Sequence, residues 1–138
     1  MKTAIVYKSA FGTTRQYAQW LHESISSDLY PVNKVNNDIL RGHEMVVVCG
    51  STYAGKLVFN GFLKKNMDTL LDKKLVLVAV GMAPPDDKAS VESYETIPEP
   101  LRKIAGYYKL QGKMFQDKNG MVKKENLNPV IQYIEKAI

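Results

Sequence analysis

Two short stretches hold the residue types and spacing that can do chemistry. The first is Ser9-Ala10-Phe11-Gly12-Thr13-Thr14. It follows the apolar run Thr3-Ala4-Ile5-Val6-Tyr7 and opens into a helical pattern with Tyr17, Ala18, Leu21 and Ile25 on one side. A strand, a hydroxyl-rich loop with one glycine and then a helix make an anion site. The free N–H groups of the first helical turn point at the ligand, and the helix dipole favours negative charge there. The Ser and Thr hydroxyls add donors. No cation precedes Arg15 in this loop, so a small phosphate held mainly by neutral donors fits best. An alternative is a plain helix start, in which Thr13 and Gln16 form a capping box.

The second stretch is Gly50-Ser51-Thr52-Tyr53-Ala54-Gly55-Lys56-Leu57. It contains the Gly-x4-Gly-Lys part of a nucleotide-binding P-loop. That motif needs Ser or Thr next, to hold Mg²⁺, and here Leu57 follows. The strand expected over residues 75–80 also ends without an aspartate for the metal. The match is therefore read as coincidence. A third loop, Gly81-Met82-Ala83-Pro84-Pro85-Asp86-Asp87, is stiffened by two prolines.

The elements that position these loops follow from hydrophobic patterning. Residues 45–49 and 75–80 are continuous β-branched and apolar runs, as is 3–7, and suit strands buried on both faces of a parallel sheet. Leu29-Tyr30-Pro31-Val32 carries a proline and belongs at an edge. Tyr108, Leu110, Gly112 and Met114 alternate with Tyr107, Lys109, Gln111 and Lys113, which marks a second edge strand with one wetter face. Phe59, Phe62, Leu63, Met67, Leu70 and Leu71 predict one helix over about residues 59–72. Pro98 to Ala105 predicts a shorter one with Leu101 and Ile104 inward. Asn128 and Pro129 read as cap and first residue of a last helix, with Val130, Ile131, Ile134 and Ile138 buried. Alternating strands and helices give a doubly wound sheet, and the two edge strands fit order 2-1-3-4-5. Its switch point lies between the first and third strands, and ligands bind beyond the carboxyl ends there. The loops at those ends are residues 8–14, 50–58 and 81–92.

At 138 residues the chain, 1–138, reads as a single domain. Apolar residues are 45% of it, yet no run approaches the ~20 needed to span a bilayer, and no signal peptide is discernible. A soluble, cytoplasmic protein is expected. Cys49, the sole cysteine, excludes an internal disulfide and reads as a core residue. His22 and His43 lie far apart, and neither is assigned a ligand or catalytic role. No metal site is expected. The net charge of +5 raises nucleic-acid binding, but the lysines are scattered in short pairs with no basic arm, so none is expected.

The first loop resembles the phosphate-binding loop of the flavodoxin family, roughly Ser/Thr-x-Thr-Gly-x-Thr after the first strand. Ser9, Gly12 and Thr14 match, while Phe11 replaces the central Thr and removes one donor. The resemblance runs nearly end to end. It implies an α/β flavodoxin-like three-layer sandwich with a five-stranded parallel sheet, FMN as cofactor and electron transfer to a redox partner protein. It assigns FMN contacts to Ser9, Ala10, Phe11, Gly12, Thr13 and Thr14 in the first loop. In the second it assigns Ser51, Thr52, Tyr53, Ala54, Gly55 and Lys56, and in the third Gly81, Met82 and Ala83. Tyr53 is expected to cover the isoalloxazine, and Lys56 to offset the negative charge gained on reduction. No Gly-x-Gly-x-x-Gly turn for a pyrophosphate is present, which favours FMN over FAD or NAD. Family members are typically acidic. The basic balance here favours acidic partners.

The Tyr-Ala-Gly-Lys loop and Gly-Thr-Thr turn resemble the branch that includes menaquinone-dependent protoporphyrinogen oxidase. An FMN oxidoreductase acting on a porphyrinogen or quinone is therefore an alternative to a plain electron carrier. The segment Met114 to Asn126 is short against that branch's insertion. The absence of a His, Cys or carboxylate cluster agrees with a carrier. A flavin-free binding or regulatory domain is the third reading.

Overall fold

Continuous apolar strands need cover on both faces, and the chain supplies it with two layers of helices. The computed structural model describes residues 1–9, 12–53, 55–113 and 121–138, with the side chain of Tyr53 left aside. Its strands are β1 (Thr3–Lys8), β2 (Asp28–Pro31), β3 (Met45–Tyr53), β4 (Lys56–Leu57), β5 (Lys74–Gly81) and β6 (Gly106–Gln111). Its helices are α1 (Thr13–Ser24), α2 (Asn37–Arg41), α3 (Asn60–Lys65), α4 (Met67–Leu70), α5 (Lys88–Glu95), α6 (Glu99–Ile104) and α7 (Asn128–Ala137).

Five strands pair in parallel in the order β2-β1-β3-β5-β6. This is the expected 2-1-3-4-5 order, because β4 is a two-residue strand folded back antiparallel on the end of β3. Pro31 sits on edge strand β2, where its missing N–H costs no ladder bond. One face of the sheet packs Ile5, Val47, Cys49, Val76 and Val78 against Tyr17, Ala18 and Leu21 of α1 and Val130 and Ile134 of α7. The other packs Val6, Val46, Val48, Leu75 and Leu77 against Leu40 of α2, Leu63 of α3, Leu70 of α4 and Leu101 of α6. Cys49 lies fully inside, and burial pushes its thiol up to about 12, so it is an inert core residue.

Several expectations are corrected. The single helix over 59–72 is two helices broken at Asn66. Its side-chain amide donates to the Phe62 carbonyl at 3.0 Å, which competes with helix continuation, and Leu71 is left exposed beyond the break. Leu101 is buried, but Ile104 faces solvent because α6 ends there and Ala105 is already extended. Val130 and Ile134 are buried and Ile131 packs beside them, whereas Ile138 lies past the end of α7 and is exposed. Asn128 is the first helical residue rather than the cap, since a 3-10 turn over Lys124–Leu127 runs directly into α7. The third loop is shorter than 81–92. Asp87 caps α5 by accepting from the Ala89 N–H at 2.9 Å, so helix begins at Lys88. The continuation of the β6 alternation to Met114 falls outside the described residues. Among those described, no helix is long and apolar enough to cross a membrane.

Candidate functional site

The sheet register brings three loops to one edge. Lys8 at the end of β1 lies opposite Gly50 of β3, Ser51 opposite Val80 of β5, and Gly81 opposite Gln111 of β6. The first, second and third loops therefore leave the sheet side by side, at the switch point between β1 and β3.

In the first loop the chain turns into α1 through Gly12, whose φ of 87° is left-handed and suits a residue without Cβ. Ser9 Oγ accepts from the Gly12 N–H at 3.0 Å and fixes this turn. The first helical bond runs from Gln16 N–H to the Gly12 carbonyl at 3.0 Å, so the amides of Thr13, Thr14 and Arg15 stand ahead of the ladder. Among the described residues no side chain caps the helix, and the Thr13–Gln16 capping box does not form. Instead the Thr13 and Thr14 hydroxyls are buried with no hydrogen-bond partner among those residues, Thr14 being only 1% exposed. A buried hydroxyl without a partner is costly, and two adjacent ones at a helix N-terminus suit an acceptor supplied by a ligand. A dianionic phosphate has the right chemistry, accepting from hydroxyls and amides together. Ala10 and Phe11 lie outside the described residues.

The second loop is a hairpin in which Thr52 pairs with Leu57 and Tyr53 with Lys56, and Gly55 takes a φ of 76° at the turn. Ser51 is the last residue of β3 paired with β5. Its carbonyl accepts from Val58 N–H at 3.1 Å, and its hydroxyl is a further buried group without a partner. Lys56 is exposed and Leu57 buried, so the residue in the Mg²⁺ position of a P-loop serves the core. The side chain of Tyr53 and the residue Ala54 lie outside the described part. Gly50 is required by packing, since a Cβ there would meet the Phe59 ring at 2.6 Å.

The third loop is gripped from β6 and α5. Lys109 Nζ donates to the Ala83 carbonyl at 2.6 Å and to Ser90 Oγ at 3.0 Å. Gln111 Nε2 donates to the Met82 carbonyl at 3.4 Å, and the Gly112 N–H to the Gly81 carbonyl at 2.9 Å. Gly81 meets the second loop directly, because a Cβ on it would lie 2.2 Å from Thr52 Oγ1. Met82, by contrast, is exposed at 52% and offers an apolar surface at the mouth. Ser93 Oγ of α5 shares its proton between the Ala89 carbonyl at 2.8 Å and the Gly55 carbonyl at 3.0 Å, tying the second loop to α5.

Ser9, Gly12, Thr13 and Thr14 share the first loop and the start of α1, while Ser51, Thr52 and Gly55 follow from the neighbouring strand β3 and Gly81, Met82 and Ala83 from β5 beyond it. Sequence reasoning missed Ser93, Lys109 and Gln111, which hold the loops. The period-two alternation of β6 was the signal for Lys109 and Gln111: it places them on one face with Tyr107, and a lysine on a half-covered face needs acceptors.

A comparison of the sequence with curated proteins found no match. Among solved structures, a flavodoxin from Streptococcus pneumoniae superposes with a TM-score of 0.66 at 15% identity, over 100% of both chains. Flavodoxin 2 from Bacillus cereus gives 0.66 at 19% identity, over 99% of each chain. Fusobacterium nucleatum flavodoxin, solved bound to flavin mononucleotide, gives 0.65 at 12% identity, over 99% of this chain and 98% of that one. At these identities the likeness establishes the fold. The family model described as Flavodoxin domain matches residues 4–136. With nearly the whole chain matched and the sheet order, switch point and loops in agreement, this chain belongs to the flavodoxin-domain family.

Proposed function

We propose that this protein binds FMN in the three-loop cleft and carries electrons between redox partners. The observation that carries the reading is the pair of buried, unpartnered hydroxyls of Thr13 and Thr14 at the start of α1, which fit a terminal phosphate. Thr13, Thr14 and the first-turn amides would hold that phosphate, with Ser9 shaping the turn. Ser51, Thr52, Tyr53, Ala54 and Gly55 would border the isoalloxazine from one side, and Gly81, Met82 and Ala83 from the other. Bound there, FMN would supply one- and two-electron redox chemistry.

The chain's own residues need only bind, orient and shield. Lys109 and Gln111 fix the backbone of the third loop, and Ser93 that of the second. Lys56 stands exposed in the second loop, where a cation favours a more negative ligand. The net charge of +5 favours an acidic redox partner.

Titration of FMN into the purified protein, followed by flavin fluorescence quenching, tests the proposal. Stoichiometric quenching, with FMN recovered after denaturation, is the expected result. Absence of quenching, or recovery of FAD, overturns it. Rapid turnover of a quinone or porphyrinogen by the loaded protein alone would favour the oxidoreductase of the protoporphyrinogen oxidase type over a carrier.

A further inference from the structure

A second concave site lies between α5 and outer strand β6. It is a cleft of about 390 Å³ lined by Pro85, Ser90, Val91, Tyr94, Tyr107 and Lys109, within the ~300–1,000 Å³ typical of small-molecule sites. Its wall is aromatic. The rings of Tyr94 and Tyr107 meet edge to face with centroids 4.8 Å apart, and the Arg102 guanidinium lies 5.7 Å from the Tyr94 centroid. Val91 is an exposed apolar residue at its rim.

The polar groups of the cleft are donors in excess. Lys109 carries three N–H bonds. Two go to the neutral Ala83 carbonyl and Ser90 hydroxyl, and no carboxylate lies within ion-pair distance among the described residues. Burial lowers its pKa, and Asp87 acts in the opposite sense. The Tyr107 hydroxyl is buried without a partner, and burial and the nearby Tyr94 push it up to about 12, so it stays a proton donor near neutrality. Tyr107 and Lys109 are two residues apart on one strand and share a face. A ligand that complements the cleft has a flat ring for the tyrosines and an anionic acceptor for Lys109.

We propose that the cleft between α5 and β6 binds a small aromatic carboxylate, its ring against Tyr94 and Tyr107 and its carboxylate on the Lys109 ammonium. The site is separate from the phosphate cluster, and its assignment does not depend on FMN binding. Pro85 in the wall and the Lys109 bond to the Ala83 carbonyl both join the cleft to the third loop.

The test is an amide chemical-shift titration of the full chain, with and without saturating FMN, using sodium benzoate as probe and benzamide as its uncharged counterpart. Saturable shifts are expected at Ser90, Val91, Tyr94, Tyr107 and Lys109, with benzamide binding about tenfold or more weakly for want of charge. Lys109→Met should weaken benzoate about tenfold, charge-assisted bonds being the strong ones. The proposal is overturned by no saturation below about 20 mM, where affinity is negligible. It is equally overturned by shifts centred on residues 12–14, by equal binding of benzamide, or by unchanged benzoate affinity in a folded Lys109→Met protein.

Discussion

Replacing Thr14 with Val tests the phosphate reading through two effects of opposite sign. Valine has nearly the shape of threonine and a similar helix propensity, so the change removes the hydroxyl and little else. In the ligand-free protein Thr14 is 1% exposed, and its hydroxyl has no hydrogen-bond partner among the described residues. Its removal should therefore stabilise the ligand-free protein by about 1–2 kcal/mol, the desolvation cost of an unmet polar group. For a domain of this size that raises the melting temperature by roughly 3–8 °C. In the proposed FMN complex the same hydroxyl would donate to a charged phosphate, a bond worth about 1.5–3 kcal/mol, so affinity should fall roughly ten- to hundredfold. Riboflavin lacks the phosphate and should bind almost unchanged. Thermal unfolding without ligand and parallel fluorescence titrations with FMN and riboflavin read all three quantities. A variant that melts lower than the parent, and loses both ligands equally, would show that Thr14 shapes the helix start and holds no phosphate.

Four further perturbations probe other parts of the account. Gly81→Ala sets a Cβ 2.2 Å from Thr52 Oγ1 and should cost about 1–3 kcal/mol while weakening FMN, as denaturant melts and titration would reveal. Gly50→Ala drives a Cβ to 2.6 Å from the buried Phe59 ring and should destabilise by a similar ~1–3 kcal/mol; full stability would mean the ring moves aside freely. Lys56→Glu should lower the midpoint potential of bound FMN by tens of millivolts (~1 kcal/mol), and the shift should shrink at 1 M salt, where screening falls to ~3 Å. An unchanged potential at low salt would place Lys56 outside the flavin's field. Asp28, at the opposite end of the sheet, accepts from the His43 ring at 2.7 Å, and that bond holds its carboxyl below its ordinary 3.8. Its contribution is present above that value and is lost as pH falls through the lower folded-state value. Asp28→Asn should remove this acid-side loss in pH-dependent melts without altering FMN affinity.

The sequence by itself determined the layers, the sheet order and the place of the first loop. Residues 3–7, 45–49 and 75–80 are apolar without alternation, which only a strand covered on both faces satisfies. Pro31 and the alternation at Tyr107–Gln111 then left just two places for the remaining strands. Ser9, Gly12 and Thr14 were legible as an anion loop because strand, glycine and helix start are local features. Only the tertiary structure decided which donors lack partners. Whether Thr13 caps its own helix or points into a buried space depends on what packs over α1, and the buried, unpaired hydroxyls are the outcome. Helix breaks followed the same rule. Asn66 divides a continuous apolar stripe because its amide reaches the Phe62 carbonyl, a competition that side-chain periodicity does not encode. The supports of the site were hidden for a related reason. Lys109 lies 26 residues from the Ala83 carbonyl it holds and Ser93 lies 38 from Gly55, and contacts at that range exist only once the sheet has set its register.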